Sequence, residues 1–376
     1  MARPFPAFRL SSIVYRLSPR VSPPLPSPFC QGPDSTPPYR APAWLPGGHL
    51  QTLYASLLAP RPRVAYLRER WNTPDGDFID LDWIRDQDAG AGTPDSAKPA
   101  PLVVLFHGLE GNSRSQYAVA LMAATRALGW RGVVVHFRGC GGDLNRLPRA
   151  YHSGDSSEID WILRRLKRAN VTARLYATGV SLGGNALLKW LGEQRAAANP
   201  IVEGAAAISA PVDLMASGDA LGRGFNMIYT RNFLATMRRK TLAKLARFPD
   251  LCNRGLMLQS RTLREFDNVV TAPLHGYRDT DDYWTRASAK PLLGHIAVPT
   301  LMINARNDPF LPAAALPAAD EVSPAVTLEF PAAGGHVGFV TSAFPGRLDW
   351  LPRRVLDFFR GTAARSCDNF ATADQQ

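Results

Sequence analysis

The sequence predicts an α/β fold: a mostly parallel sheet flanked by helices, with a helical cap inserted before the late strands. Three observations predict it. From residue 102 onward, short continuous apolar runs alternate with helix-period segments, the pattern of βαβ units whose strands are covered on both faces. One run ends in Gly179-Val180-Ser181-Leu182-Gly183 and passes at once into a helical pattern. The alternation breaks once, over residues 211–296, and then resumes.

Taken in order, residues 1–40 are rich in Pro, Ser and Arg, have no acidic residue before Asp34, and read as a disordered leader. An Arg- and Ser-rich, acid-poor start also resembles an organellar transit peptide, whereas a secretory signal would need an apolar core that is absent. Residues 41–376 form the expected folded domain. Val64 to Trp71 and Phe78 to Ile84 read as a hairpin around Thr73-Pro-Asp-Gly76, because Ile79, Leu81 and Trp83 alternate with Asp80 and Asp82. Ala89 to Pro101 is a Gly-, Ala- and Pro-rich loop. The apolar runs are Leu102 to Phe106, Gly132 to Phe137, Arg174 to Val180, Ala205 to Ser209, Thr300 to Asn304 and Val326 to Phe330. Between them lie helix candidates Gln116 to Leu128, Ser157 to Arg168, Leu182 to Gln194 and Ala313 to Glu321, with a last one near Arg353 to Phe359. The cap, 211–296, enters at the carboxyl edge of a parallel sheet and would lie over the ligand crevice.

Composition excludes several classes. The chain has 376 residues, 45% hydrophobic and 20% charged, and no apolar run long enough for a membrane helix. Its net charge of +11 is spread rather than clustered and lacks an aromatic-interleaved pattern, so no nucleic-acid partner is expected. Cys30, Cys140, Cys252 and Cys367 are far apart, so neither a zinc site nor a disulfide framework is implied, and a reducing, cytoplasmic compartment is expected.

The chemistry is carried by Ser181. A serine turned sharply from a strand into a helix exposes its hydroxyl, and Gly179 and Gly183 remove the side chains that would collide there. Such a hydroxyl needs a base and a group that orients the base. His336, in Ala333-Gly-Gly-His-Val-Gly338, follows the last apolar run and is the candidate base. Asp308, in Asn304-Ala-Arg-Asn-Asp-Pro-Phe310, follows the preceding run and is preferred as the orienting acid over Asp213, which also follows a strand. The order Ser, Asp, His on successive late loops is that of α/β-hydrolases. An oxyanion hole is expected from the amides of Leu182 and of Leu109, the latter in Phe106-His-Gly-Leu-Glu-Gly-Asn112, with His107 bracing that loop. That loop lacks the Gly-Lys-Ser/Thr ending of a phosphate-binding loop, so nucleotide binding is discarded. No metal or organic cofactor is needed.

Pro46-Gly-Gly-His-Leu-Gln-Thr52, His107-Gly-Leu-Glu-Gly-Asn-Ser113, Phe137-Arg-Gly-Cys-Gly-Gly142, Tyr151-His-Ser-Gly-Asp155, Gly179-Val-Ser-Leu-Gly-Gly-Asn185 and Asn304-Ala-Arg-Asn-Asp-Pro-Phe310 together resemble the YheT-like α/β-hydrolases. The resemblance implies a serine carboxylic ester hydrolase acting on short- to medium-chain acyl esters or monoacylglycerols, with Ser181, Asp308 and His336 as its charge-relay residues. It also implies a small-molecule ester as partner. The Pro-rich start stands where eukaryotic relatives carry a membrane anchor, which favours a soluble member of the bacterial type. Rival expectations are a thioesterase, acyltransferase or peptidase on the same residues, or a hydrolase-fold binding protein with little turnover.

Overall fold

The computed structural model describes residues 36–85 and 99–373. Most of the expected leader and most of the Ala89 to Pro101 loop lie outside the described residues. Within them, one sheet of eight strands has the order β1-β2-β4-β3-β5-β6-β7-β8. β1 (Tyr66–Asn72) and β2 (Phe78–Ile84) form the antiparallel hairpin, with Trp71 paired to Ile79 across it. The remaining strands run parallel: β3 (Leu102–Phe106), β4 (Arg131–His136), β5 (Leu175–Val180), β6 (Gly204–Ile208), β7 (Thr300–Ile303) and β8 (Val326–Glu329).

These runs are apolar throughout because each strand feeds two cores. Leu102, Val104 and Phe106 of β3 pack on one face, with Ile159, Ile162 and Leu166 of α3 (Ser156–Ala169) and Leu187, Trp190 and Leu191 of α4 (Leu182–Gln194). Val103 and Leu105 point to the other face, against Ala118, Leu121 and Met122 of α2 (Gln116–Ala127) and Leu351 and Val355 of α11 (Trp350–Ala373). Alternate residues therefore face opposite layers, and neither layer can hold polar residues without partners.

Residues 36–40 fall in the stretch expected to be a loose leader. Tyr39 is buried there, tilted against Phe339 and Trp350, and its hydroxyl donates to the Val340 carbonyl at 2.9 Å. An unanticipated helix, α1 (Gly48–Leu57), carries the Pro46-to-Thr52 motif. The helix expected over Ala313 to Glu321 does not form; only 3-10 turns at Ala313–Ala315 and Ala319–Glu321 appear. Pro317 explains it, since a mid-helix proline lacks the N–H and clashes with the preceding turn.

Between β6 and β7 the chain forms α5 (Leu214–Leu221), α6 (Met227–Leu245), α7 (Arg254–Gln259), α8 (Leu263–Phe266), a π-helical turn at Asp267–Thr271, α9 (Ala272–Leu274) and α10 (Thr280–Ala287). They share an apolar cluster of their own, built on Leu234, Met257, Phe266 and Trp284.

A buried ion network ties the hairpin to the sheet. The Arg138 guanidinium, after β4, meets Glu158 of α3 at 2.7 Å, Asp75 at 2.9 Å and Asp77 at 3.1 Å. Arg138→Met would leave the Asp77 and Glu158 carboxyls buried without that cation. It is expected to lower the unfolding free energy by about 3–5 kcal/mol, seen as a lower urea midpoint with an unchanged slope.

Candidate active site

All the loops that carry chemistry leave the carboxyl edge of the parallel strands. Ser181 stands between β5 and α4 at φ 52°, ψ −121°, a conformation that β-carbon-bearing residues rarely adopt. Its amide donates to the Ile208 carbonyl at 2.8 Å, which anchors the turn to the neighbouring strand. The two glycines are sterically required: a β-carbon on Gly183 would lie 2.5 Å from the Phe106 carbonyl oxygen, and one on Gly179 would collide with the Gly183 carbonyl.

His336 Nε2 lies 3.0 Å from Ser181 Oγ. Its Nδ1 faces Asp308, at 2.9 Å from Oδ2 and 3.2 Å from Oδ1. Asp308 is itself oriented by the Phe310 amide at 2.8 Å, and the Phe310 ring stacks on the imidazole at a centroid separation of 4.0 Å. Asp213 is elsewhere engaged: it caps α5, accepting from the Ala216 amide at 3.0 Å.

The histidine loop is held by residues whose part sequence reasoning did not assign. Thr52 Oγ1 accepts from the His336 amide at 2.8 Å, and Gln51 Oε1 accepts from the Gly334 amide at 2.8 Å and from Asn307 Nδ2 at 3.0 Å. Both are buried on α1. The signal was a Gln-Thr pair inside a mostly apolar segment.

The loop after β3 lies against Ser181, with Gly108 so close that a β-carbon there would sit 3.1 Å from the serine's own. Tyr117 Oη accepts from the Gly108 amide at 3.0 Å, and Tyr151 Oη from the Glu110 amide at 2.8 Å. Leu109 lies between these two anchored amides, and Leu109, Leu182 and Ser181 line one cavity. His107 braces the loop from below. Its Nε2 accepts from the Phe137 amide at 3.1 Å, so Nδ1 carries the proton toward the Gly108 carbonyl at 2.7 Å. Burial pushes this imidazole down to about 3, so it stays neutral.

Two spaces meet at Ser181 and His336. Under the cap is a largely apolar cavity of about 730 Å³ including its mouth, lined by Leu214, Leu221, Phe233, Met237, Leu263 and Phe310. Between α1 and α6 runs a larger groove of about 1160 Å³ including its mouth, lined by Leu53, Leu57, Ile228 and Asn232. A hydroxyl in contact with an oriented imidazole, beside amides at a helix N-terminus, can attack a carbonyl and stabilise the resulting oxyanion.

The family described as alpha/beta hydrolase fold matches residues 101–343. The YheT protein of Escherichia coli (strain K12) is 38% identical over 85% of this chain and 92% of its own length. The chain belongs to the YheT-like α/β-hydrolases. Human phospholipase ABHD3 is 30% identical over 85% of this chain and 78% of its own length. The monoacylglycerol lipase of Saccharomyces cerevisiae is 29% identical over 65% of this chain and 56% of its own length. This hydrolase is accordingly of the esterase and lipase type. No helix among its described residues is long and apolar enough to cross a membrane.

One contact couples the cap of this hydrolase to the loop after β3. Lys240 Nζ, on α6, pairs with Glu110 Oε1 at 2.8 Å, and Tyr151 Oη donates to the same oxygen at 2.8 Å. Glu110 is held at φ 56°, next to Leu109. Lys240→Met is expected to reduce kcat about tenfold with little change in KM, because the loop beside Ser181 loses a support while the cavity keeps its shape. Lys240→Arg should recover part of the loss in the same steady-state assay.

Proposed function

We propose that this hydrolase cleaves carboxylic esters through an acyl-enzyme on Ser181. His336 Nε2 takes the hydroxyl proton as Oγ attacks the ester carbonyl. Asp308 holds the Nδ1–H tautomer and stabilises the imidazolium that forms. The Leu109 and Leu182 amides bind the oxyanion, helped by the positive end of α4. His336 then gives its proton to the leaving alcohol, and afterwards takes one from the water that releases the acid.

The observation that carries this reading is the unbroken line from Ser181 Oγ through His336 to Asp308, at 3.0 Å and 2.9 Å. The apolar cavity under the cap, on this reading, takes a short to medium acyl chain, and the larger groove along α1 takes the alcohol. The names of the human and yeast relatives, a phospholipase and a monoacylglycerol lipase, support glycerol esters as the substrate class.

Purified protein should react with a fluorophosphonate and hydrolyse p-nitrophenyl acyl esters. Ser181→Ala should lose both, with turnover lower by as much as ~10⁶-fold. Equal activity in the two proteins would remove the mechanism. Matched ester, thioester and amide substrates should show the ester preferred; a thioester preference would reassign the reaction on the same residues.

The acid is tested separately. Asp308→Asn should reduce kcat by about 10⁴-fold, as expected when the imidazole is held in the wrong tautomer. Asp213→Ala should instead remove a helix cap, lowering stability by about 1 kcal/mol while turnover persists.

A further inference from the structure

The cavity under the cap suits a hydrocarbon chain except at one place. Asp267 lines it, buried, at the start of the π-helical turn Asp267–Thr271. Its Oδ1 accepts from Thr271 Oγ1 at 2.6 Å and its Oδ2 from Trp284 Nε1 at 2.9 Å. Thr271, Tyr283 and Ser153 line the same cavity, so the wall is locally polar. Among the described residues no basic side chain offsets the charge, and burial pushes Asp267 up to about 6.

Two protein donors do not account for a carboxylate there. An asparagine could accept from Trp284 through its oxygen and donate to Thr271 Oγ1 through its nitrogen, with no charge buried. A carboxylate has about four acceptor sites, and Thr271 and Trp284 fill two of them. Burying an unpaired charge is unfavourable, so its presence in a substrate cavity points to a donor that arrives with the ligand. Single π-helical turns are also frequent at functional sites, and this one brings Asp267 and Thr271 to the cavity wall together.

We infer that Asp267 is a specificity-determining residue that accepts a hydrogen bond from a hydroxyl or ammonium group on the acyl chain, making substituted acyl esters the preferred substrates over plain hydrocarbon ones. This rests on the reading above, in which the cavity under the cap receives the acyl group. Acyl chains ending in a carboxylate are disfavoured by the same charge.

The test compares full-length protein with Asp267→Asn on p-nitrophenyl decanoate, on the hydroxydecanoates with the hydroxyl moved along the chain, and on the ω-amino analogue. In the unmodified protein at least one substituted ester should exceed decanoate in kcat/KM by about tenfold, the scale of one hydrogen bond to a charged group. The hydroxyl and amino arms identify which donor is taken. Asp267→Asn should reduce that preference several-fold, raise kcat/KM for decanoate, and raise the melting temperature at neutral pH. A variant that is less stable but equally selective would make Asp267 a structural staple and overturn the proposal. So would hydrolysis of plain decanoate with no substituted ester favoured, an outcome that leaves the ester mechanism standing. Hydrolysis of no ester at all would remove the underlying reading, and this proposal with it.

Discussion

Everything at the site depends on how closely the start of α4 approaches the end of β3. Gly183 sits against the carbonyl oxygens of Phe106 and His107, with no room for a β-carbon between them. That approach goes with the serine's positive-φ backbone and brings the loop after β3 against the start of α4, with Leu109 and Leu182 lining one cavity. A parallel sheet makes it possible because β5 pairs with both β3 and β6, so the turn after β5 is flanked on both sides. The Ser181 amide bond to Ile208 and the buried imidazole of His107 then fix the two flanks. Strain stored in one residue persists because its surroundings leave it no alternative.

The cap is joined to this centre at its roots as well as by Lys240. Asn185, on α4 one turn after the serine, donates to the carbonyls of Ser153 and Ala287 at 2.8 Å each and accepts from the Ala289 amide at 2.9 Å. Ser288 Oγ accepts from the Leu214 amide at 2.9 Å, and the Lys290 amide donates to the Val212 carbonyl at 3.0 Å, so the segments entering and leaving the cap are stitched together. The helix that presents the serine therefore also anchors the cap. A change in cap position would be felt at the loop after β3 through Glu110, and a shift of α4 would be felt at the cap through Asn185.

What could be read from sequence follows from how local the signal is. The parallel strands were legible because burial on both faces writes a continuous apolar run. The Ser181 turn was legible because its glycines are demanded by neighbours within a few residues and by one adjacent strand. Ala313 to Glu321 misled because alanine content suggests helix, while the single Pro317 decides against it. Choosing between Asp308 and Asp213 needed three dimensions: both follow strands, but Asp213 is used by its own helix and Asp308 faces the histidine loop. Gln51 and Thr52 were illegible for a related reason. Their partners on the histidine loop lie more than 250 residues away in the chain, so the local Gln-Thr signal does not say what the pair supports.

Buried charge separates structure from function in this molecule. Around Arg138 every carboxylate has a cation or a set of amides: Asp77 accepts from Asn145, Phe78, Arg146 and Leu147 besides the guanidinium. Loss of the guanidinium would be felt as lost stability because the carboxylates around it would be stranded. Asp308 is held just as closely, but one of its partners is an imidazole whose other nitrogen faces a hydroxyl open to a cavity. Asp267 goes further, with two neutral donors and no cation, in a wall that otherwise suits hydrocarbon. What sets Asp267 apart is that it faces a cavity with no cation beside it among the described residues. Arg138 thus serves the fold, whereas Asp308 serves the proposed reaction and Asp267 the proposed choice of substrate.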